Sequence, residues 1–282
     1  MIEINSAQIS FFKEEGYLLL EDVLFPEVFQ PLIREVEQII DQKARQAQAA
    51  GQLEELFADE PFERRLARIC AALEDPSDIL PQVQNKLKTK GMFQILTHPT
   101  LLAIVESLIG PEILAHPQFN LRAKLPDQDE GVVPWHQDLG YLQPDAEGTF
   151  MVNFWIPLVD ATPENGCMEI IAGSHTCELI QHHHQMGPGR NFKGILDEDL
   201  PAGTQVSCPV RVGGVLLTQH KTIHRSIPNH SDHIRWSLDL RYSDPAMPTG
   251  RDHVPGFIAH SRAHPESVAH SLQDWLKQME TA

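Results

Sequence analysis

The chain has 282 residues, 41% hydrophobic and 22% charged, enough to bury a full core. Its 39 acidic against 22 basic residues give a net charge of −17, which argues against a nucleic-acid or anionic-membrane binder, because either needs a basic patch. Cys70, Cys167, Cys177 and Cys208 are scattered without CxxC spacing, and the start MIEINSAQIS lacks a signal peptide's basic and apolar regions. The expectation is a cytoplasmic protein with reduced thiols and no structural zinc. No uninterrupted apolar run approaches the roughly 20 residues of a membrane span.

In chain order, SAQISFFKEEG predicts a helix with Ser6 as N-cap and Gly16 as its stop. YLLLEDVL then reads as a short strand. From Pro26 to about Ala50, Phe29, Leu32, Ile33, Val36, Ile39 and Ile40 recur at helical spacing. TLLAIVESLIG predicts a further helix ending at Gly110. Beyond it the character changes to short strands punctuated by turn residues: PQFNLRAKLP, TFMVNFWIPL, CMEIIAGSH, GGVLLTQH and HIRWSLDLRYS. That pattern implies an antiparallel sandwich or barrel. The polar, Gly-rich stretch HHHQMGPGRNFKGILDEDLPAG predicts a long loop, and HPESVAHSLQDWLKQ a C-terminal helix packed on the outside.

Two strands divide into faces. In PQFNLRAKL, Gln118, Asn120, Arg122 and Lys124 share one side; in HIRWSLDLRY, Arg235, Ser237, Asp239 and Arg241 do. A solvated outer face explains this, and so does a barrel whose polar face lines a cavity.

PWHQDLGYL carries the chemistry. On a strand His136 and Asp138 point to one face and can grip one metal ion together. Downstream, His224 in the extended segment TIHRS lies eleven residues before Arg235 and supplies a third ligand. Two histidines and one carboxylate form the facial triad of non-haem Fe(II) oxygenases, which leaves half the coordination sphere open. Arg235 suits the far carboxylate of 2-oxoglutarate, because a guanidinium pairs a carboxylate through two parallel hydrogen bonds. Ser226, two residues after His224, points the same way.

With WHQDLGY, NFWIPLVDATPENGCMEIIAGSH, HRSIPNHSDHIRWSLDLRY, the tail PGFIAHSRAHPESV and the opening FFKEEGYLLLEDVL, the chain resembles the phytanoyl-CoA dioxygenase family of Fe(II)- and 2-oxoglutarate-dependent oxygenases. The resemblance implies a mainly β, double-stranded β-helix (jelly-roll, cupin-like) core with flanking α-helices. It implies one oxygenase domain over residues 1–282: a helical part to about 110, the core over about 111–245 and a helical tail over about 246–282. It implies iron on His136, Asp138 and His224, and 2-oxoglutarate held by Arg235 and Ser226, with Trp155, Gln118 and Asn120 at positions that often line that pocket. Fe(II), 2-oxoglutarate and O2 would then hydroxylate an unactivated C–H bond of a small-molecule substrate, releasing succinate and CO2. Family halogenases carry Ala or Gly where this chain has Asp138, so hydroxylation is favoured over chlorination.

Other readings stay open at this level: a cupin-like metal enzyme that does not use 2-oxoglutarate, or a non-catalytic ligand-binding relative. Three consecutive side chains at His182–His184 do not easily converge on one ion, so a lid is expected there. His220 is placed near the pocket mouth or in the core, His175 at a turn, and Cys167 and Cys177 in the core. Lys86, Lys88 and Lys90 form a basic cluster that is a solvated face or, with Arg122 and Lys124, a preference for an anionic substrate. Neither nucleic acid nor membrane is expected as a partner.

Overall fold

The longest strand, Arg235–Ser243, organises the layers, because its alternate residues have opposite chemistry. The computed structural model describes residues 4–84, 86–128, 131–184, 192–251 and 254–280. Its helices are α1 (Ser6–Glu15), α2 (Gln30–Ala49), α3 (Phe62–Ala72), α4 (Leu80–Val83), α5 (Lys90–Leu96), α6 (Pro99–Ile109) and α7 (Leu272–Glu280). The strands are β1 (Tyr17–Leu20), β2 (Ile113–Ala115), β3 (Asn120–Lys124), β4 (Val152–Pro157), β5 (Met168–Ile171), β6 (His183–His184), β7 (Lys193–Gly194), β8 (Gln205–Cys208), β9 (Val215–Gln219), β10 (His224–Ser226), β11 (Arg235–Ser243) and β12 (Phe257–His260).

The major sheet runs β1-β9-β4-β11-β2-β12, with β3 also paired to β11, and all its pairings are antiparallel. A smaller antiparallel sheet runs β10-β5-β8. Trp236, Leu238, Leu240 and Tyr242 of β11 join Phe154 and Ile156 of β4 in a core shared with Leu32, Val36 and Ile40 of α2 and Leu66 and Ile69 of α3. On the other side, Trp155 and Leu216 of the major sheet pack against Met168, Ile170 and Cys208 of the smaller one. Two facing sheets with helices outside make a mainly β jelly roll, and the space between the sheets becomes the cavity. The first and last thirds of the chain contribute strands to it, since β1 and β12 are the two ends of the major sheet.

Several local expectations need revision. Helix α1 is capped by Asn5 rather than Ser6: the Asn5 side chain accepts from the Gln8 N–H, and the Gln8 side chain accepts from the Asn5 N–H, both at 2.9 Å. That reciprocal arrangement satisfies two amides at once, which one hydroxyl could not do. Lys90–Ile109 is long and apolar enough to cross a membrane by length and composition alone, although polar residues interrupt it. It is two helices, broken at Thr97–His98 ahead of Pro99, with Met92, Ile95, Leu96, Leu101, Ile104 and Val105 in the core. Helix α7 is not merely applied to the outside, because Trp275 is fully buried among Phe93, Phe119 and Phe257. The long loop carries the short hairpin β6–β7; its residues 185–191 lie outside the described residues.

Candidate metal and cosubstrate site

His136 and His224 meet because their backbones pair: each donates its N–H to the other's carbonyl at 3.0 Å. Strand β10 holds His224 against Ile170 of β5, so the smaller sheet carries both imidazoles. The HxD motif is not a regular strand, as its spacing suggested. His136 forms an isolated bridge and Asp138 opens a 3-10 turn over Asp138–Tyr141, which returns its carboxylate towards the imidazoles. Among the described residues, His136, Asp138 and His224 are the one group placed to hold a metal, with ligand atoms all within 4.8 Å of one another and every member buried.

Backbone carbonyls fix both rings. His136 Nδ1 donates to Pro134 O at 2.9 Å and His224 Nδ1 to Thr222 O at 2.8 Å. A carbonyl only accepts, so Nδ1 carries the proton and each Nε2 keeps a free lone pair for a metal. Burial, with His224 adding to it, pushes His136 down to about 3, so it is neutral and ready to ligate. Burial works against an ionised Asp138, but the Arg241 guanidinium outweighs it and holds the carboxyl well below its usual range. Arg241 Nη2 pairs with Asp138 Oδ1, and Asn153 Nδ2 donates to Oδ2 at 2.6 Å. Two imidazoles that turn Nε2 away from their carbonyl tethers and one ionised carboxylate, all oriented by fixed partners, fit a divalent transition metal such as iron.

The triad opens into a cavity of about 130 Å³ whose wall includes Arg235, Ser226, Trp155, Lys124, Arg122 and Met168. Arg235 is buried; its Nε donates to Gly166 O at 3.1 Å, its Nη1 to Ser237 Oγ, and its guanidinium lies 5.1 Å from the centre of the Trp155 ring. Burial draws its pKa down to about 10, so it remains charged at neutral pH. Ser226 Oγ accepts from the Val133 N–H at 3.2 Å. Gln118 and Asn120 are not brought to this wall. The Gln118 carbonyl accepts from Arg241 Nη1 at 3.1 Å, and Asn120 sits opposite Asp239 in the β3–β11 register, leaving Arg122 and Lys124 to face the cavity.

Two of the other histidines, His175 and His182, make structural contacts. His175 Nε2 donates to Lys13 O at 3.0 Å, tying its turn to α1. His220 is buried. His182 Nδ1 donates to Ile180 O at 2.8 Å, and its Nε2 accepts from the backbone N–H of Gln137, between the two ligands, at 3.0 Å. Gly140 permits this approach, since a Cβ there would lie 2.4 Å from the His182 ring. Gln137 adds a second tether, accepting from Ile180 N at 2.9 Å and donating to Lys221 O at 3.1 Å. The arm leading to β6 is thus strapped to the metal loop. Cys167 is buried, as expected, whereas Cys177 is half-buried. Lys86, Lys88 and Lys90 are exposed, which is the solvated-face reading; Arg122 is taken by Asp239 at 2.9 Å.

Sequence reasoning did not reach Asn153 and Arg241 as partners of Asp138. Their signal was present only in part: Arg241 shares the polar face of β11, but its register opposite Asn153 on β4 belongs to the tertiary structure.

The phytanoyl-CoA dioxygenase (PhyH) family model matches residues 12–237, most of the chain. The chain belongs to the phytanoyl-CoA dioxygenase family. It is 28% identical over 270 residues to phytanoyl-CoA dioxygenase domain-containing protein 1 of Mus musculus, covering 86% of this chain and 91% of that protein. Among solved structures it is similar to the apo non-haem monooxygenase ThoJ, with a TM-score of 0.63 and 18% identity over 97% of this chain and 95% of that one. It is also similar to EvdO2 from Micromonospora carbonacea var. aurantiaca in complex with 2-oxoglutarate, with a TM-score of 0.51 and 21% identity over 86% and 92%. These structures share its jelly-roll fold. Members of the family are iron- and 2-oxoglutarate-dependent oxygenases, and the His136–Asp138–His224 triad fits that chemistry.

Proposed function

We propose that this chain is an Fe(II)- and 2-oxoglutarate-dependent dioxygenase that hydroxylates an unactivated C–H bond of a small molecule, with release of succinate and CO2. The observation that carries this reading is the convergence, in one cavity, of a buried metal triad with a buried and unpaired guanidinium. A metal enzyme that does not use a 2-oxo diacid gives no role to Arg235, whose buried charge has no carboxylate partner among the described residues.

Iron(II), when bound, would supply oxygen activation coupled to decarboxylation of the 2-oxo acid. His136 and His224 offer Nε2 and Asp138 a carboxylate oxygen, while Arg241 and Asn153 hold that carboxylate ionised and aimed. Arg235 takes the far carboxylate of 2-oxoglutarate, with Trp155 walling the pocket and Ser226 beside it. Asp138 occupies the position that a halide needs in family halogenases, which favours hydroxylation. A recessed cavity between the two sheets, lined by both polar and apolar side chains, suits a small-molecule substrate rather than a macromolecular one.

The test is anaerobic loading with Fe(II) and 2-oxoglutarate, admission of O2, and measurement of succinate for the wild type, H224A and R235A. Succinate from the wild type alone is expected, and mass-spectrometric gain of one oxygen in a screened metabolite identifies the hydroxylation. Failure of the wild type to bind either the metal or 2-oxoglutarate overturns the reading.

A further inference from the structure

Lys124 is a buried basic side chain that the chemistry above does not use. It lies directly opposite Arg235 in the antiparallel β3–β11 register, so both side chains project from the same face of the sheet into one cavity. Both are buried, Lys124 to 4% and Arg235 to 3% exposure. They converge on Gly166: its carbonyl accepts from Arg235 Nε, and a Cβ there would lie 2.6 Å from Lys124 Cδ. Gly166 has φ +91, so both the backbone and the approach of Lys124 call for glycine. The polar contact of Lys124 is neutral, Nζ donating to Gly131 O at 3.0 Å. Two basic side chains lie side by side in a buried cavity with no carboxylate on either among the described residues, and an entering anion would complete both.

We propose that Lys124 is the second cation for the far carboxylate of 2-oxoglutarate, sharing it with Arg235 and setting the preference for a dicarboxylic over a monocarboxylic 2-oxo acid. The inference rests on the oxygenase reading above. It gives Lys124 a positioning and specificity role rather than a catalytic one, because the far carboxylate is remote from the reacting keto acid end.

A proton accompanies the ligand. In the empty cavity burial, with Arg235 adding to it, pushes Lys124 down to about 6, so its amine is largely neutral at physiological pH. The charged groups on this face are Arg235 on β11 and the Arg122–Asp239 pair one pleat along; the buried Cys167 thiol follows Gly166 in the chain and faces Arg235. An entering carboxylate stabilises the ammonium form, and Lys124 takes one proton from the buffer.

Isothermal titration calorimetry on Mn(II)-loaded protein near neutral pH, in buffers of different ionisation enthalpy, measures that proton directly. The ligands are 2-oxoglutarate and 2-oxopentanoate, which has the same chain length without the far carboxylate. For the wild type, net proton uptake is expected with 2-oxoglutarate and not with 2-oxopentanoate. K124M should bind 2-oxoglutarate roughly 10- to 100-fold more weakly, with no uptake and unchanged affinity for 2-oxopentanoate. K124R, always charged, should keep most of the affinity and lose the uptake. Equal weakening of both ligands in K124M would mark a structural role and overturn the proposal, as would wild-type affinity for 2-oxoglutarate in K124M or persistent uptake in K124R. If the metal-loaded wild type does not bind 2-oxoglutarate, the oxygenase reading falls and this inference with it; binding that ignores Lys124 removes this inference alone.

Discussion

The metal end and the far end of the cavity share strand β11 and solve opposite electrostatic problems. At the metal end Asp138 is buried but already answered, by Arg241 and Asn153, while both imidazoles are tethered through Nδ1. At the far end Arg235 and Lys124 face each other across the β3–β11 ladder with only carbonyl and hydroxyl partners. One end is organised for a cation before any arrives. The other is left in deficit of an anion, and that deficit is a binding energy held in reserve. Preorganisation thus has two forms here: satisfied groups that must not move, and unsatisfied groups that a ligand completes.

The contrast can be broken most severely at the triad. H224A removes one of two imidazole ligands, and metal binding and succinate release should both be abolished, with 2-oxoglutarate affinity in the metal-free protein left to Arg235. Titration calorimetry with Mn(II) reads the first loss. Arg241→Met strands the Asp138 carboxylate in a buried site, and loss of one partner of a buried ion pair costs about 3–5 kcal/mol. Denaturant unfolding of the metal-free protein should show that loss, and saturating metal should restore part of it; no restoration would mean that Arg241 serves the fold and not the metal loop.

The same strand offers a control on its other face. Trp236→Ala, stacked on Phe62 with 4.9 Å between ring centroids, should destabilise by about 3–5 kcal/mol, from lost burial and the cavity left behind. The affinity of the folded protein for metal and 2-oxoglutarate should not change. Asn153→Ala is milder: metal affinity should fall roughly tenfold, as for other groups that orient a ligand, with the triad still occupied at high metal concentration.

Acid tests the imidazoles that burial holds neutral. His116 Nε2 donates to Thr249 O, and its Nδ1 accepts from the Gln118 N–H; burial pushes it, like His136, from 6.5 down to about 3. The unfolded chain therefore binds protons that the folded chain refuses between those values. Stability of the metal-free protein should be complete above about 6.5 and decline as pH falls towards 3. His116→Gln should flatten that slope, and an unchanged slope would locate the acid sensitivity elsewhere.

Much of this was written in local pattern. Alternation in HIRWSLDLRY assigned Arg235, Ser237, Asp239 and Arg241 to one face and Trp236, Leu238 and Leu240 to the other, because side chains on a strand alternate whatever surrounds them. Spacing and residue type nominated His136, Asp138 and His224, and the resemblance to the family supplied their chemistry. Gly16 and Gly110 marked helix ends, each followed by the chain turning with positive φ. Helix α3 was missed, although Leu66, Ile69 and Cys70 form its buried stripe, since its flanking turns carry no strong cap.

What the sequence could not carry is register. Whether the polar face of β11 met water or a cavity depended on the smaller sheet closing over it, and that closure is a long-range contact. The pairing of Arg235 with Lys124, of Arg241 with Asn153, and of Gln137 with His182 joins residues between 45 and 111 positions apart. A one-residue slip would turn either of the two strand pairs to the opposite face. Composition and periodicity determined which side chains were available and which face each would occupy; only the stacked, registered sheets decided which charges would meet, because antiparallel pairing and burial are properties of neighbours in space.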